Sequence, residues 1–94
     1  MLKQLNLPSD LALARTTPTF ETDSVPRGLL KAHQIAPDVW GVLRVLAGSL
    51  EFTLDGSGET RSLVAGEHQV IPPELLHHVA RVAEHTRFHI EFYS

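Results

Sequence analysis

Short runs of alternating apolar and polar residues, separated by glycine and proline, constrain the fold of this chain most. Residues 49–54 (SLEFTL) repeat with period two, so that Leu50, Phe52 and Leu54 share one face of a predicted strand. The DGSG segment at 55–58 supplies the residues of a hairpin turn. No interval of ten or more residues shows a convincing helical period. The pattern therefore predicts strands connected by tight turns.

About six to eight such strands, at a spacing of roughly 8–12 residues, predict an all-β fold. Among all-β folds we expect a single jelly-roll barrel of short antiparallel strands. The chain has 94 residues, enough for one core but not for a second, so residues 1–94 are expected to form one domain. Pro18 favours an extended conformation before it, and residues 1–19 are expected to form an N-terminal arm or edge strand.

Composition and charge exclude several classes of partner and site. The formal net charge is −3, so no basic field attracts a phosphate backbone, and a nucleic-acid partner is not expected. The chain has no cysteine, which leaves nitrogen and oxygen ligands for any metal. No segment approaches the roughly 18 continuous apolar residues that span a bilayer. We expect a cytoplasmic location and no membrane partner.

The stretch GEHQVIPPELLHH, residues 66–78, places two prolines ahead of two adjacent histidines. Pro72 and Pro73 fix the backbone dihedral and remove two hydrogen-bond donors, so the chain leaves the sheet edge in one rigid direction. It then returns with His77 at a defined place and angle. Such a corner suits a ligand-binding histidine, although a packing residue could use it equally well.

The spacing of this stretch resembles the second motif of the cupins, in which glycine and proline turn the chain so that a histidine enters the barrel. The resemblance rests on Gly66, Pro72 and His77, while Glu74 stands where the cupin pattern has a further glycine. In the first cupin motif a glutamate is expected where this chain has Gly41. The resemblance therefore does not support a standard four-ligand cupin site.

A narrower resemblance covers nearly all of the chain from Arg15 onward. Its most telling parts are the TPTF arm, the VP-G-LL-x-x-H stretch ending at His33, the W-G-x-L-R-V-L-x-G segment from Trp40 to Gly48, and the P-P-x-x-x-H run ending at His77. Together they resemble the small cupin-like family called TehB/YeaR-like, found alone or ahead of the methyltransferase of tellurite-resistance proteins. The resemblance implies a role associated with tellurite resistance or oxyanion stress.

His33 and His77 are the first candidate metal ligands. Each lies near a predicted strand and matches a histidine position of the resembling family. Neutral imidazole binds zinc, nickel and non-haem iron, so the expected cofactor is a divalent ion of zinc, iron or nickel. His89 and Glu91 on the last predicted strand are the next candidates, because two histidines and one carboxylate make the facial arrangement of an open iron site.

The alternation of side chains along the last predicted strand argues against His89 and Glu91 as metal ligands. The apolar face of the last strand consists of three residues, Phe88, Ile90 and Phe92. His89 and Glu91 point the other way, unless the apolar triplet packs outside the barrel against another sheet or subunit. The resemblance to small cupin-like barrels, which often dimerise through an apolar sheet face, implies a homodimer of this kind. Otherwise Glu91 is an outward carboxylate paired with Arg87 or with a neighbouring strand.

Three functions stay open on the sequence. The first is a metal-binding domain that senses, sequesters or transforms a small molecule or oxyanion in tellurite-type stress. The second is a metal-dependent oxygenase or isomerase of an unknown metabolite, and the third is a metal-free binding or oligomerisation module. No motif identifies a catalytic residue. Partly buried histidines that donate to backbone carbonyls are the alternative for His33 and His77, and Arg44 either lies at a barrel rim or contacts an anionic ligand.

Overall fold

Antiparallel strands make up nearly all of the regular structure, which confirms the all-β prediction. The computed structural model describes residues 1–94 and contains eight strands and two short 3₁₀ helices. The strands are β1 (Leu13–Thr16), β2 (Phe20–Glu21), β3 (Trp40–Ala47), β4 (Ser49–Leu54), β5 (Thr60–Val64), β6 (His68–Ile71), β7 (His77–Ala80) and β8 (Arg87–Tyr93). The 3₁₀ helices are η1 (Leu2–Gln4) and η2 (Arg27–Leu30). No helix has the length and apolarity needed to cross a membrane.

The strands form two antiparallel sheets, which are not closed into a barrel. The larger sheet has the order β1-β8-β3-β6, with β2 also paired to β8, and the smaller sheet has the order β5-β4-β7. The core contains apolar side chains from both sheets, namely Leu43, Val45, Ile71, Phe88 and Ile90 from the larger and Leu50, Phe52, Leu63 and Val79 from the smaller. The pair of sheets therefore encloses one core, as a sandwich does.

The apolar face of β8 lies in this core. Phe88 and Ile90 are buried, and Phe92 packs against the same cluster. The apolar triplet therefore packs inside the chain, so the arrangement that would turn His89 and Glu91 inward is not formed. His89 and Glu91, which alternate with these residues, lie on the outer face of the larger sheet.

The N-terminal arm contributes an edge strand and a buried anchor. Strand β1 pairs with β8 at the edge of the larger sheet. Leu2 is buried, its backbone N–H donates to Glu59 over 2.9 Å, and its carbonyl accepts a 2.9 Å hydrogen bond from the buried amide of Gln69. The arm is thus fixed at both of its ends.

One residue carries the chain from the larger sheet to the smaller, at the bend expected after Ala47. Gly48 lies between β3 and β4 and has a φ of +73°. Thr86, which is buried, accepts a 3.1 Å hydrogen bond from the N–H of Ser49 and donates a 2.9 Å bond to the Ser49 carbonyl. The transition between the sheets therefore depends on a left-handed residue packed against Thr86.

Gly48→Ala should lower the free energy of unfolding by about 2–4 kcal/mol. A Cβ at Gly48 would lie 2.7 Å from Thr86 Cα and would also collide with Thr86 Oγ1. The matched control is Gly56→Ala, where a Cβ would meet nothing within 4 Å. Its effect should stay within about 0.5 kcal/mol in urea denaturation. Equal unfolding midpoints for the two variants would contradict this account of the bend.

Candidate functional site

His33 and His77 form a direct antiparallel pair, although they are far apart in sequence. The N–H of His33 donates to the His77 carbonyl over 3.0 Å, and the N–H of His77 donates to the His33 carbonyl over 2.9 Å. Because directly opposite residues of an antiparallel pair point to the same face, the two imidazoles meet. Their ring centroids are 4.2 Å apart, with an angle of 60° between the ring planes.

The proline corner predicted from the sequence leads into this pair. Strand β6 ends at Ile71, the two prolines follow, and β7 begins at His77. Between them Glu74 adopts a φ of +64° and donates its N–H to the Ile35 carbonyl over 3.0 Å. Glycine adopts such a left-handed conformation without the steric penalty that a side chain brings. The corner thus contacts the segment that follows His33.

Hydrogen bonds fix the tautomer of both rings in the same way. Nδ1 of His33 lies 2.9 Å from the Lys31 carbonyl oxygen, and Nδ1 of His77 lies 2.8 Å from the Leu75 carbonyl oxygen. A carbonyl oxygen only accepts, so each Nδ1 carries the proton. In the neutral ring Nε2 then keeps its lone pair. Metal-binding histidines are commonly oriented by donation of the other ring N–H to a backbone carbonyl, and the same bond is the one expected of partly buried histidines that bind no metal.

Burial keeps His77 in the neutral form. Its residue exposure is 2%, and its ring stacks on Phe52 with centroids 5.2 Å apart and planes at 24°. Burial lowers the pKa of His77, and the nearby His33 lowers it further. The hydrogen bond to the Leu75 carbonyl and the charge of Asp55 oppose this shift without cancelling it. The Nε2 lone pair of His77 is therefore available at neutral pH.

A cavity of about 400 Å³ is lined by both histidines. Most of its wall is apolar and consists of Leu29, Ile35, Val39, Ile71, Ile90 and Phe92, with Ala14 and Ala36. Arg15 is the only Asp, Glu, Lys or Arg side chain in the wall. Gln34 and Ser94 complete its polar part. We call this cavity the histidine pocket.

Arg15 was not among the residues singled out from the sequence. Leu13 is paired with Tyr93, but an irregularity in β1 makes Arg15 the partner of Phe92. Without this irregularity, the Arg15 and Leu13 side chains would lie on the same face of the sheet, because residues two apart in a regular strand point to the same face. Its guanidinium carbon instead lies 4.4 Å from the centroid of the Phe92 ring. A bulge cannot be read from alternation alone, so the sequence offered no signal for this residue.

The structure separates His89 and Glu91 from the histidine pair, as strand parity indicates. Ile90 lines the histidine pocket, whereas its two neighbours lie on the opposite face of β8. His89 Nε2 lies 3.2 Å from one carboxylate oxygen of Glu91. No group of three or more histidine, aspartate or glutamate side chains could hold a metal ion. The arrangement of two histidines and one carboxylate considered for an iron site is therefore not formed.

Glu91 is the centre of a charged network on the outer face. Its other carboxylate oxygen accepts hydrogen bonds from Arg44 Nε and from the Tyr93 hydroxyl, both over 2.9 Å. Although burial alone would raise the pKa of Glu91, the bonds from Arg44, Tyr93 and His89 hold it below its ordinary value. Arg44, on the neighbouring strand, is thus already paired. It is not directed toward the histidine pocket.

The remaining histidines do not join either group. His78 points away from His77, as expected for adjacent strand residues, and its Nδ1 lies 3.0 Å from both carboxylate oxygens of Asp55. His68 and His85 are exposed. His68 lines a cavity of about 250 Å³ and His85 one of about 550 Å³, but each is the only imidazole there. His33 and His77 are therefore the one pair of imidazoles that line the same cavity.

The lowered pKa of His77 makes stability depend on pH. A histidine titrates at an ordinary value of 6.5 when unfolded, but folded His77 binds its proton only at lower pH. As the pH falls, the unfolded state therefore binds more protons than the folded state. Proton binding then favours unfolding, and the stability that is present above the unfolded pKa is lost. We expect the free energy of unfolding, measured with urea, to fall between about pH 7 and pH 5.

His77→Asn should weaken this pH dependence, because asparagine keeps an N–H for the Leu75 carbonyl but does not titrate. His68→Asn, at an exposed position, should keep the slope of the original protein. The lowered pKa values of Glu59 and Glu91 affect stability only below their ordinary value of 4.5, outside this range. Identical slopes for the original protein and His77→Asn would show that His77 is not the group responsible.

Glu74→Gly should raise the free energy of unfolding by about 0.5–1 kcal/mol, since glycine adopts a positive φ without the steric penalty of a side chain. The matched control is Glu84→Gly, at an exposed position without positive φ. Its unfolding midpoint in urea should not rise. A lower midpoint for Glu74→Gly than for the original protein would mean that the Glu74 side chain contributes more than its backbone conformation costs.

Comparison with known proteins gives relatives along nearly the whole chain. The uncharacterized protein YeaR from Escherichia coli (strain K12) is 26% identical over 98 aligned residues, which cover 95% of this chain and 82% of YeaR. A crystal structure of a protein from Escherichia coli (strain K12) has the same fold, with a TM-score of 0.88, 24% identity and 97% of each chain covered.

The crystal structure of TehB from Haemophilus influenzae also contains this fold. Its TM-score is 0.80 at 23% identity, over 90% of this chain and 32% of the TehB chain. The present chain thus corresponds to about a third of that protein. The family of TehB-like domains matches residues 15–90, which include both histidines of the pocket. On this match the chain belongs to the TehB-like domain family.

Proposed function

We propose that this domain binds a divalent metal ion through His33 and His77 and uses the ion to bind a small molecule or oxyanion in tellurite-type stress. The association with tellurite resistance comes from the family resemblance and from the likeness to TehB. The proposal of a metal ion rests on the chemistry of the pocket. One observation supports it above all: the two imidazoles line one cavity with their ring centroids 4.2 Å apart, and each keeps an Nε2 lone pair.

The distance between the rings suits a shared ion. Zinc binds histidine nitrogen over about 2.0–2.1 Å, so two imidazoles on one ion must lie within a few ångströms of each other. The centroid separation of 4.2 Å meets this condition. The common backbone pairing holds both rings in place without a metal, which reduces the entropy lost on binding.

Two protein ligands leave coordination positions for water or for a bound molecule. Zinc, iron and nickel all accept imidazole nitrogen, and an ion with open positions attracts oxygen ligands. Direct binding of an oxyanion to His77 is disfavoured, because the lowered pKa of His77 leaves its ring uncharged. An ion held by the two Nε2 atoms would supply the positive charge that the neutral rings lack.

The wider proposal includes membership of the cupin superfamily, a cytoplasmic location and a homodimer. The cupin relationship is supported by the spacing of Gly66, Pro72 and His77 and by the position of His77 at a cavity between strands. A homodimer would have to use a surface other than the apolar face of β8, because Phe88 and Ile90 are buried in the chain.

Calorimetric titration of protein purified without a histidine tag tests the metal site. Zinc or nickel should bind with one equivalent per chain, and iron(II) should do so under anaerobic conditions. His33→Asn keeps a side-chain N–H for the Lys31 carbonyl and removes the Nε2 ligand. It should weaken binding at least about tenfold, the lower end of the loss seen when even a supporting hydrogen bond to a ligand is removed.

His68→Asn serves as the matched control and should bind metal as the original protein does, because His68 is exposed and does not line the histidine pocket. Circular dichroism should show the same fold for both variants. Absence of saturable metal binding would exclude a metal site at His33 and His77, and so would equal affinities for the original protein and His33→Asn. The domain would then be a metal-free binding module.

A further inference from the structure

We propose that the natural ligand of the histidine pocket is a small organic anion, with an apolar body against the pocket wall and a carboxylate-like group on Arg15. The inference extends the proposed function by giving the chemical class of the molecule bound in the same pocket. It does not require the metal ion. It rests on the composition of the wall, the position of Arg15 and the shape of the adjoining space.

The size and composition of the wall favour an organic molecule. The cavity of about 400 Å³ falls in the range of about 300–1,000 Å³ that is usual for small-molecule sites. Of its 13 lining residues, 8 are hydrophobic, so most of a bound molecule's surface would contact apolar side chains. A bare inorganic oxyanion would lose its hydration here, and the wall offers few N–H donors in exchange, chiefly those of Arg15 and Gln34.

Arg15 supplies the one Lys, Arg, Asp or Glu side chain of the wall, and this side chain has no ionic partner. None of the ion pairs in the structure involves Arg15. Its guanidinium lies over the Phe92 ring, 4.4 Å from the centroid, which holds the group at the pocket by a cation–π contact. A planar guanidinium binds a carboxylate through two parallel hydrogen bonds. Arg15 is therefore suited to the charged end of an organic acid.

A second cavity extends the space for the apolar body. It measures about 340 Å³ and shares with the histidine pocket the residues Arg15, Leu29, His33, Ile90 and Phe92. Its further wall includes Phe20 and Pro26, so it is also largely apolar. Arg15 and His33 line both cavities. A molecule with its acid group on Arg15 can thus extend along either one, and its polar end remains close to the histidine pair.

Binding of organic acids and their amides to the metal-free chain tests the inference. The probes are benzoate, phenylacetate and hexanoate, each with its neutral amide, together with potassium tellurite, titrated in the presence of EDTA and followed by ¹H–¹⁵N NMR. At least one acid should bind saturably and shift residues of the histidine pocket. Its amide should bind at least about tenfold more weakly, since an ionised partner roughly doubles the strength of a hydrogen bond.

Arg15→Gln should reduce the affinity for that acid about tenfold and leave the affinity for the amide unchanged. Arg87→Gln removes the same charge from an exposed position on β8 that lines neither cavity, and it should bind the acid as the original protein does. The inference is overturned if no acid binds, if acid and amide bind equally, if Arg15→Gln has no effect, or if tellurite binds more tightly than every organic acid.

Zinc titration of the same variants separates this inference from the metal proposal. Arg15 is not a proposed ligand, so Arg15→Gln should bind zinc as the original protein does. Acid binding without any zinc binding would remove the metal ion and keep the organic ligand. Zinc binding at His33 and His77 without binding of any acid would keep the metal ion and exclude the organic ligand.

Discussion

The reciprocal backbone hydrogen bonds between His33 and His77 are the constraint on which the candidate site depends. They attach the segment that follows η2 to the first residue of β7, and they set two side chains on one face. Since His77 also stacks on Phe52, a core residue of the neighbouring strand β4, the pair is anchored to the smaller sheet. A site held in this way needs no ligand to assemble it.

Burial determines which ligands such a pair can bind. His77 is buried and neutral, whereas the positive charge of Arg15 lies in an exposed residue of the edge strand. The pocket therefore has two polar positions. The imidazole lone pairs of the histidine pair form one, the guanidinium of Arg15 forms the other, and the rest of the wall is mostly apolar. A Lewis acid or a hydrogen-bond donor fits the first position, and an anionic group fits the second. Without a bound metal ion, an inorganic oxyanion matches neither the apolar wall nor the neutral histidine.

Local sequence pattern predicted the features that depend on neighbours in the chain. Period-two alternation placed Leu50 and Phe52 in the core, and the same parity placed His89 and Glu91 opposite Ile90, against their use as ligands of the histidine pair. The direct pairing of His33 with His77 could not be predicted in this way, because an isolated bridge depends on long-range packing. Whether the sheets close into a barrel also depends on edge contacts that alternation does not encode.

Two departures from local sequence preference lie beside the pocket, at Arg15 and Glu74, while others lie away from it, such as the positive φ of Arg81 and His85. The irregularity in β1 turns Arg15 toward Phe92, and the left-handed Glu74 donates its N–H to Ile35 in the pocket wall. Both depart from local preference, and such departures cost stability and cluster where a site requires a particular geometry. The Glu91 network lies where Val42, Leu43 and Arg44 pair residue by residue with β8, and its charges are mutually satisfied. The network stabilises the sheet, whereas the ligand that we propose would give a reason for the geometry around Arg15 and the histidine pair.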